Sequence, residues 1–246
     1  YNTTHRTPNL NLTGRSDIIN NIVFNWKYRL SRVSGPTTLN HISNLYVDFG
    51  SDSDNLIIER NSDNPSIYTA NNRLTGKLTS DAQDNWSIWG KFNSGAGGSI
   101  STVYQTNNMH PDMASPPTIM SADDLITNLL PDIGANKYLN ADGTFGTSTD
   151  VVDTAYKANI TAGNPVPYAS NSRGNDYNTT SHWSAFWNSV SDSPLNTRPT
   201  DYDTDNDGMP DVWEIDNFGN LTQIDSGDDD GDGYTNIEEF LNSVDK

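Results

Sequence analysis

The fold is decided by two segments of one pattern, INNIVFNW at residues 19–26 and ISNLYVDF at residues 42–49. They align at an offset of 23 residues, and residues 70–74 repeat the asparagine, which recurs as Asn21, Asn44 and Asn72. Short strands of β-branched and aromatic residues recur roughly every 20 to 30 residues. This pattern predicts the stacked coils of a parallel β-helix. Asparagine suits the repeated turn because its amide can bond its equivalent in the next coil and it tolerates left-handed backbone angles.

Further strands are predicted at residues 55–59 and 86–92, and helices at residues 122–130 and about 150–160. Ser121 and Asp124 resemble a capping box at the first helix. An antiparallel sandwich, which has similar strand spacing but needs no repeat, is the alternative architecture. We predict an all-β fold with three parts: a right-handed parallel β-helix (solenoid) segment at residues 1–120, peripheral helices and loops packing on it at 121–200, and a small C-terminal EF-hand-like calcium module at 201–246.

The predicted calcium module contains two complete EF-hand-type loops, loop 1 (residues 203–214) and loop 2 (residues 228–239). Each loop has oxygen-bearing side chains at positions 1, 3, 5, 9 and 12, a backbone carbonyl ligand at position 7 and glycine at position 6. A hard cation with many oxygen ligands requires this spacing. The alternative is an acidic, solvated tail. The predicted ligands are Asp203, Asp205, Asp207, Met209, Asp211 and Glu214 in loop 1, and Asp228, Asp230, Asp232, Tyr234, Asn236 and Glu239 in loop 2.

Few apolar residues are predicted to form the core of this module: Trp213, Ile215, Phe218, Ile237, Phe240 and Leu241. So small a core predicts that the module depends on metal to fold. The chain contains no cysteine, and no apolar run reaches the length of a membrane span. Calcium in place of disulfides is typical of a secreted, extracellular protein of bacterial type. We therefore predict a secreted bacterial protein with two structural calcium ions.

Charge is distributed unevenly along the chain. The net charge is −18, but residues 201–246 hold 15 acidic residues and one lysine, whereas residues 1–40 hold five basic residues against one aspartate. This early basic patch suits an anionic ligand such as a phosphate or a uronate polymer. Scattered, solvated basic residues are the alternative. The acidic balance argues against nucleic acid as a partner.

Several motifs resemble, in their order along the chain, secreted pectate lyases of polysaccharide lyase family 1. They are THRTPNL (4–10), GRSDIINNIVFNW (14–26), IYTANNRLTG (67–76), DNWSIWG (84–90), SADDLITNLLPDIGAN (121–136) and the two calcium loops. The resemblance implies a calcium-dependent lyase that cleaves polygalacturonate by β-elimination. It also implies that Arg6 abstracts the C5 proton of a galacturonate, with Pro8 completing the Arg-x-Pro pattern of the family.

The same resemblance implies a substrate-binding set. Asn11 stands where the family commonly carries a second, substrate-binding arginine, and Arg15 is the candidate replacement. The expected set is His5, Arg15, Lys27 and Arg29. The family holds a catalytic calcium with acidic residues on coils before the catalytic arginine, and those ligands are not seen in this chain. We therefore expect the chain to be the C-terminal half of such a lyase.

Two functions of other classes remain open. A β-helix with exposed strand edges can pair with another chain. It would then be a non-catalytic structural subunit, docked onto a missing N-terminal half or stacked head to tail into an extracellular fibre. Paired calcium loops also serve in scaffold attachment, so a dockerin-like adhesion module is the third hypothesis.

Overall fold

A computed structural model describes residues 7–26, 30–47, 56–58, 64–91, 102–111, 117–134, 136–147, 151–164 and 198–243. The chain divides into two compact units. We call Tyr1–Asp132 with Ala155–Trp183 the coil unit, and Ile133–Thr154 with Ser184–Lys246 the loop unit. The predicted domain boundaries at residues 120 and 200 stay predictions.

The described part of the coil unit contains short strands in three parallel sheets. The strands are β1 (Asn9–Asn11), β2 (Gly14–Ile19), β3 (Ile22–Phe24), β4 (Arg32–Ser34), β5 (Thr37–Ile42), β6 (Leu45–Val47), β7 (Leu56–Ile58), β8 (Ser66–Ala70), β9 (Arg73–Leu74) and β10 (Trp89–Lys91). Their order is β1-β4-β7-β10, β2-β5-β8 and β3-β6-β9. Successive turns of the chain thus add strands to the same sheets, which is consistent with the predicted β-helix. Because the strand pairs in these sheets are parallel, the antiparallel sandwich is wrong.

The strand register confirms the alignment read from the repeat. Ile19 pairs with Ile42, and Ile22 pairs with Leu45, which is the predicted offset of 23 residues. Ala70 in the third coil pairs with Ile42. The hydrophobic residues of the repeat therefore stack in columns, as a common buried interior requires.

A ladder of asparagine side chains runs along the stack, as predicted. Asn21 Nδ2 donates to Asn44 Oδ1 at 2.9 Å, and Asn44 Nδ2 donates to Asn72 Oδ1 at 2.9 Å. The same two oxygens accept from the backbone N–H groups of Asn21 and Asn44, at 3.0 and 2.9 Å. Asn85, which the repeat does not reveal, continues the ladder by accepting from Asn72 Nδ2 at 2.8 Å.

The left-handed backbone angles lie one residue before the ladder, not at the ladder asparagines where we expected them. Asn20, Ser43 and Asn71 have φ angles of 56°, 54° and 56°. The chain turns at these residues, so the next residue can direct both its N–H and its side-chain amide along the stack. Serine in one of the three positions shows why the asparagine pattern alone did not locate the turn.

The interior of the coil unit is apolar and aromatic. Its buried cluster is Trp26, Leu30, Val33, Leu39, Tyr46, Ile67, Leu74, Leu78, Trp86, Ile88, Trp89 and Tyr104. His41 lies inside β5 and contacts Tyr46 Oη through Nε2 at 2.6 Å and Thr69 Oγ1 through Nδ1 at 3.2 Å. Burial lowers the pKa of His41 to about 3, so this ring is neutral and structural.

The predicted first helix is shorter than expected. The α-helix α1 spans Leu125–Asn128, and a 3₁₀ helix follows at Leu130–Asp132. The capping box does not form, because Ser121 Oγ accepts from the N–H of Asp123 at 3.3 Å and the Asp124 side chain makes no cap hydrogen bond. The second predicted helix is present as α2 (Val151–Ala162).

Asp123 is used in an ion pair with a buried arginine. The Asp123 carboxylate accepts from Arg73 Nε at 2.8 Å and from Nη2 at 2.7 Å, while Asp81 accepts from Nη2 at 2.8 Å. The hydrogen bond to Asp123 is the main cause that raises the pKa of Arg73. This two-point contact joins the segment before α1 to the third coil. Within the described segments, none of the helices has the length and apolar character needed to cross a membrane.

Candidate metal sites

The loop unit contains a hairpin and two short helices. The hairpin pairs β11 (Lys137–Leu139) with β12 (Phe145–Thr147). The helices are α3 (Asp211–Phe218) and α4 (Asn236–Ser243), which begin inside loop 1 and loop 2. Both loops flank one apolar cluster, whose buried members are Leu139, Met209, Trp213 and Phe240.

Loop 1 brings three carboxylates together. One oxygen atom from each of Asp203, Asp205 and Asp207 lies within 4.8 Å of the others, as in a group that could hold a metal ion. Backbone N–H groups hold two of them in place: Gly208 donates to Asp203 Oδ2 at 3.1 Å, and Met209 donates to Asp207 Oδ1 at 2.8 Å. Gly208 has a φ angle of 98°, which explains why position 6 favours glycine.

Glu214, the twelfth residue of loop 1, supplies a buried and unpartnered carboxylate. Its exposed fraction is 0%, and neither Oε1 nor Oε2 has a hydrogen-bond partner among the described residues. Asp207 Oδ2 is likewise buried, with no partner in the described part of the chain. Burying an ionised carboxylate without compensation is strongly unfavourable. These oxygens therefore fit a site that holds a divalent cation.

Two carboxyl groups of loop 1 have raised pKa values. Burial raises the pKa of Glu214 to about 7, and the carboxylates of Asp205, Asp207, Asp211 and Asp203 add to the shift. Burial also raises the pKa of Asp207. Both shifts express the cost of burying negative charge close to other carboxylates.

Loop 2 repeats the carboxylate group in a more exposed setting. Asp228, Asp230 and Asp232 each place one oxygen within 4.8 Å of the others, and all three residues are exposed. Gly233 donates to Asp228 Oδ2 at 3.2 Å, which matches the Gly208 contact in loop 1. Burial is the first cause, ahead of neighbouring aspartates, that raises the pKa of Glu239.

The position-9 side chains make the same contact in both loops. The Thr204 N–H donates to Asp211 Oδ1 at 2.8 Å, and the Asp229 N–H donates to Asn236 Oδ1 at 3.2 Å. Position 9 therefore bonds the backbone of position 2 in each loop. Their role as metal ligands, like that of the other ten predicted ligands, stays a prediction.

The hairpin is the part of this unit that sequence reasoning missed. Tyr202 Oη donates to the Leu139 carbonyl at 2.8 Å in a buried position. Met209, predicted only as a carbonyl ligand, is fully buried, whereas Ile215 and Leu241 are 49% and 60% exposed. The predicted core residues that belong to the apolar cluster of this unit are Trp213, Phe218, Ile237 and Phe240. The contribution of Leu139 was not predicted, because the hairpin lies about sixty residues earlier in the sequence.

Most of the predicted substrate-site residues lie outside the described residues: His5, Arg6, Lys27 and Arg29. Arg15 is described, on β2. Its Nε donates to Asp17 Oδ2 at 3.0 Å, and its Nη1 donates to the Pro111 carbonyl. Asp17 thus neutralises much of the positive charge that Arg15 would offer an anionic substrate.

The chain is similar to two curated proteins, each named probable pectate lyase C, from Aspergillus flavus and Aspergillus oryzae. Each is 28% identical to it over 244 residues, which is 98% of this chain and 51% of the relative. The chain matches no protein-family model. Both relatives are fungal, so they do not support the predicted bacterial origin. The chain thus spans about half the length of these curated relatives and is distantly similar to proteins named as pectate lyases.

Proposed function

We propose that this chain is part of a secreted, calcium-binding polysaccharide lyase that acts on polygalacturonate. The similarity to two probable pectate lyases along 98% of the chain supports the lyase assignment. The stacked parallel sheets support a right-handed β-helix as its scaffold. The calcium part rests on one observation above all, the buried and unpartnered carboxylate of Glu214.

Calcium is the ion that suits both loops best. Each loop offers several carboxylates around a glycine turn, and calcium accepts six to eight oxygen ligands in flexible geometry, whereas magnesium requires near-ideal octahedral geometry. A bound ion would bring positive charge to carboxylates that lie close to one another. The two ions would stabilise the loop unit as an EF-hand-like module.

The proposed reaction is β-elimination at a galacturonate. The neutral form of Arg6 would take the C5 proton, and the electron pair of that C–H bond would form the double bond between C4 and C5 of the sugar. The C4–O bond would break, and the leaving oxygen would take a proton from water. Lys27 and Arg29 would bind carboxylates of the polymer, with His5 beside Arg6. Arg15 would contribute less, because Asp17 lies 3.0 Å from its Nε.

An ultraviolet assay for the unsaturated product tests this reaction. The chain should release product from polygalacturonate only with calcium, and Arg6→Ala should remove that activity. Arg198→Ala, which removes an arginine in the loop unit that lies over the Tyr202 ring at 4.5 Å, is the matched control and should retain it. A folded chain that releases no product would contradict catalysis by this chain alone.

Self-association or docking onto additional coils is the second candidate function. β1, β2 and β3 are each the terminal strand of their sheet among the described residues. In the ladder, Asn44 Oδ1 accepts from Asn21 N and Nδ2, whereas Asn21 Oδ1 accepts from no described residue. This end of the stack could therefore receive another strand and asparagine. Sedimentation over a wide concentration range with calcium tests self-association; a monomer throughout would exclude fibres. The dockerin-like alternative has no comparable support.

A further inference from the structure

The two calcium loops differ in how they contact the apolar core. Loop 1 contributes the side chains of position 7, Met209, and position 11, Trp213, which are 0% and 8% exposed. In loop 2, position 7 is Tyr234, which is 55% exposed. Loop 1 therefore passes through the core of the loop unit, whereas the carboxylate-rich half of loop 2 lies at its surface.

The carboxylates at position 12 differ in the same way. Glu214 is fully buried, and neither of its oxygens has a hydrogen-bond partner within the described segments. Glu239 is half-buried, and its oxygens are not among the buried atoms that lack a partner. Water can solvate Glu239 and the exposed aspartates of loop 2 before any ion binds, whereas Glu214 has no such compensation.

Loop 1 is also connected to the hairpin. Tyr202, directly before loop 1, donates through its Oη to the Leu139 carbonyl at 2.8 Å, and its own carbonyl accepts from the Asp211 N–H at 2.9 Å. Trp213 packs edge-on against Phe218 and Phe240, with ring centroids 5.3 and 5.5 Å apart. A change in loop 1 therefore reaches β11, α3 and α4 together.

We infer that the two calcium sites are not equivalent: loop 1 is the site whose ion holds the core of the loop unit together, and loop 2 is an accessory, exchangeable site. This rests on the proposed calcium binding. Without an ion, the buried Glu214 carboxylate destabilises the core. With an ion, the same carboxylate becomes a ligand and stabilises it. Loop 2 lacks a fully buried carboxylate of this kind, so emptying it leaves the core largely intact.

Replacement of Glu214 by glutamine should raise the stability of the loop unit without calcium and lower it with calcium. Glu214→Gln keeps the size of the side chain but removes its charge. At pH 8 in chelator, the variant should unfold in the loop unit at a temperature higher than the unmodified chain by about 5 °C or more. In excess calcium the order should reverse, and affinity at one site should fall by about tenfold or more. The matched control Glu239→Gln should change the unfolding temperature in chelator little, while it weakens calcium binding at loop 2.

Titration calorimetry of the full chain with calcium alone measures the number of ions bound and their affinities. Scanning calorimetry, together with hydrogen exchange in α3 and α4, measures the stability of the loop unit. Equal effects of the two variants in chelator, with two ions still bound by the unmodified chain, would overturn the inequivalence and leave the proposed calcium binding standing. Absence of calcium binding by the unmodified chain would overturn both. A Glu214→Gln chain that fails to fold in chelator would also refute the inference, because it requires a more stable ion-free form.

Discussion

Replacement of Asn44 by alanine should destabilise the stack of coils far more than the same change at the exposed end of the asparagine ladder. The Asn44 side chain accepts from Asn21 N and Nδ2 at 3.0 and 2.9 Å. It also donates to the Ile18 carbonyl and to Asn72 Oδ1, both at 2.9 Å. The residue is fully buried, so water cannot easily replace the bonds that its side chain donates.

The expected cost follows from what each partner loses. Asn72 Oδ1 keeps the Asn44 backbone N–H at 2.9 Å, and Asn21 is exposed and can bond water. The Ile18 carbonyl loses this donor, and a cavity remains. Water can replace the two bonds from Asn21, so two lost bonds count, those to the Ile18 carbonyl and to Asn72 Oδ1. At about 1 kcal/mol for each of them and up to about 2 kcal/mol for the Ile18 carbonyl left unpaired, Asn44→Ala should reduce the free energy of unfolding by about 3 to 4 kcal/mol.

Asn21→Ala is the matched control, because it removes the same chemical group from the exposed end of the ladder and should cost about 1 kcal/mol. Hydrogen exchange measured by mass spectrometry, in saturating calcium, resolves the coil unit from the loop unit. Peptides covering β2, β3, β5 and β6 should lose protection in Asn44→Ala, while those covering α3 and α4 should not. Equal costs for the two substitutions would refute the claim that burial makes the ladder stabilising.

Three further predictions concern other parts of the chain. The pKa of Glu214 is raised from 4.5 to about 7, so between these pH values Glu214 holds a proton in the folded chain without calcium but not in the unfolded chain. The stability of the calcium-free chain should therefore fall as pH rises from 4.5 to about 7, while its affinity for calcium rises. Calorimetry at pH 5 and pH 8 should show both trends, and an affinity that does not change with pH would contradict them. Arg73→Met should cost about 1 kcal/mol, because the side chains of Asp123 and Asp81 are 57% and 77% exposed and water can solvate them once Arg73 is removed. Urea unfolding should detect this loss, and a neutral result would show that the ion pair does not stabilise the fold. Tyr202→Phe removes only the 2.8 Å bond to the Leu139 carbonyl and should lower the stability of the loop unit by about 1 kcal/mol, with faster hydrogen exchange in β11; unchanged exchange would refute this link.

Several features of the coil unit were predictable from local pattern. The 23-residue offset anticipated the pairing of Ile19 with Ile42, and the recurring asparagine anticipated the ladder through Asn44. Both predictions are confirmed because similar coils stack directly on one another, so that residues one repeat apart in sequence lie in contact. Asn85 was not predicted, because it lies 13 residues after Asn72, at the start of a 3₁₀ helix and outside the repeat.

By itself, the sequence predicted the parallel stacking of the coils and the grouping of aspartates in loop 1 and loop 2, because both depend on residues at short, regular spacing. Only the tertiary structure decided which of the two loops carries a buried carboxylate. Loop 1 and loop 2 have nearly the same ligand pattern, yet Glu214 is fully buried and Glu239 is half-buried. Burial depends on what packs around a residue, and the hairpin that joins the core near loop 1 is distant in sequence. Whether a carboxylate is buried or exposed therefore depends on long-range packing, which a local sequence motif does not predict.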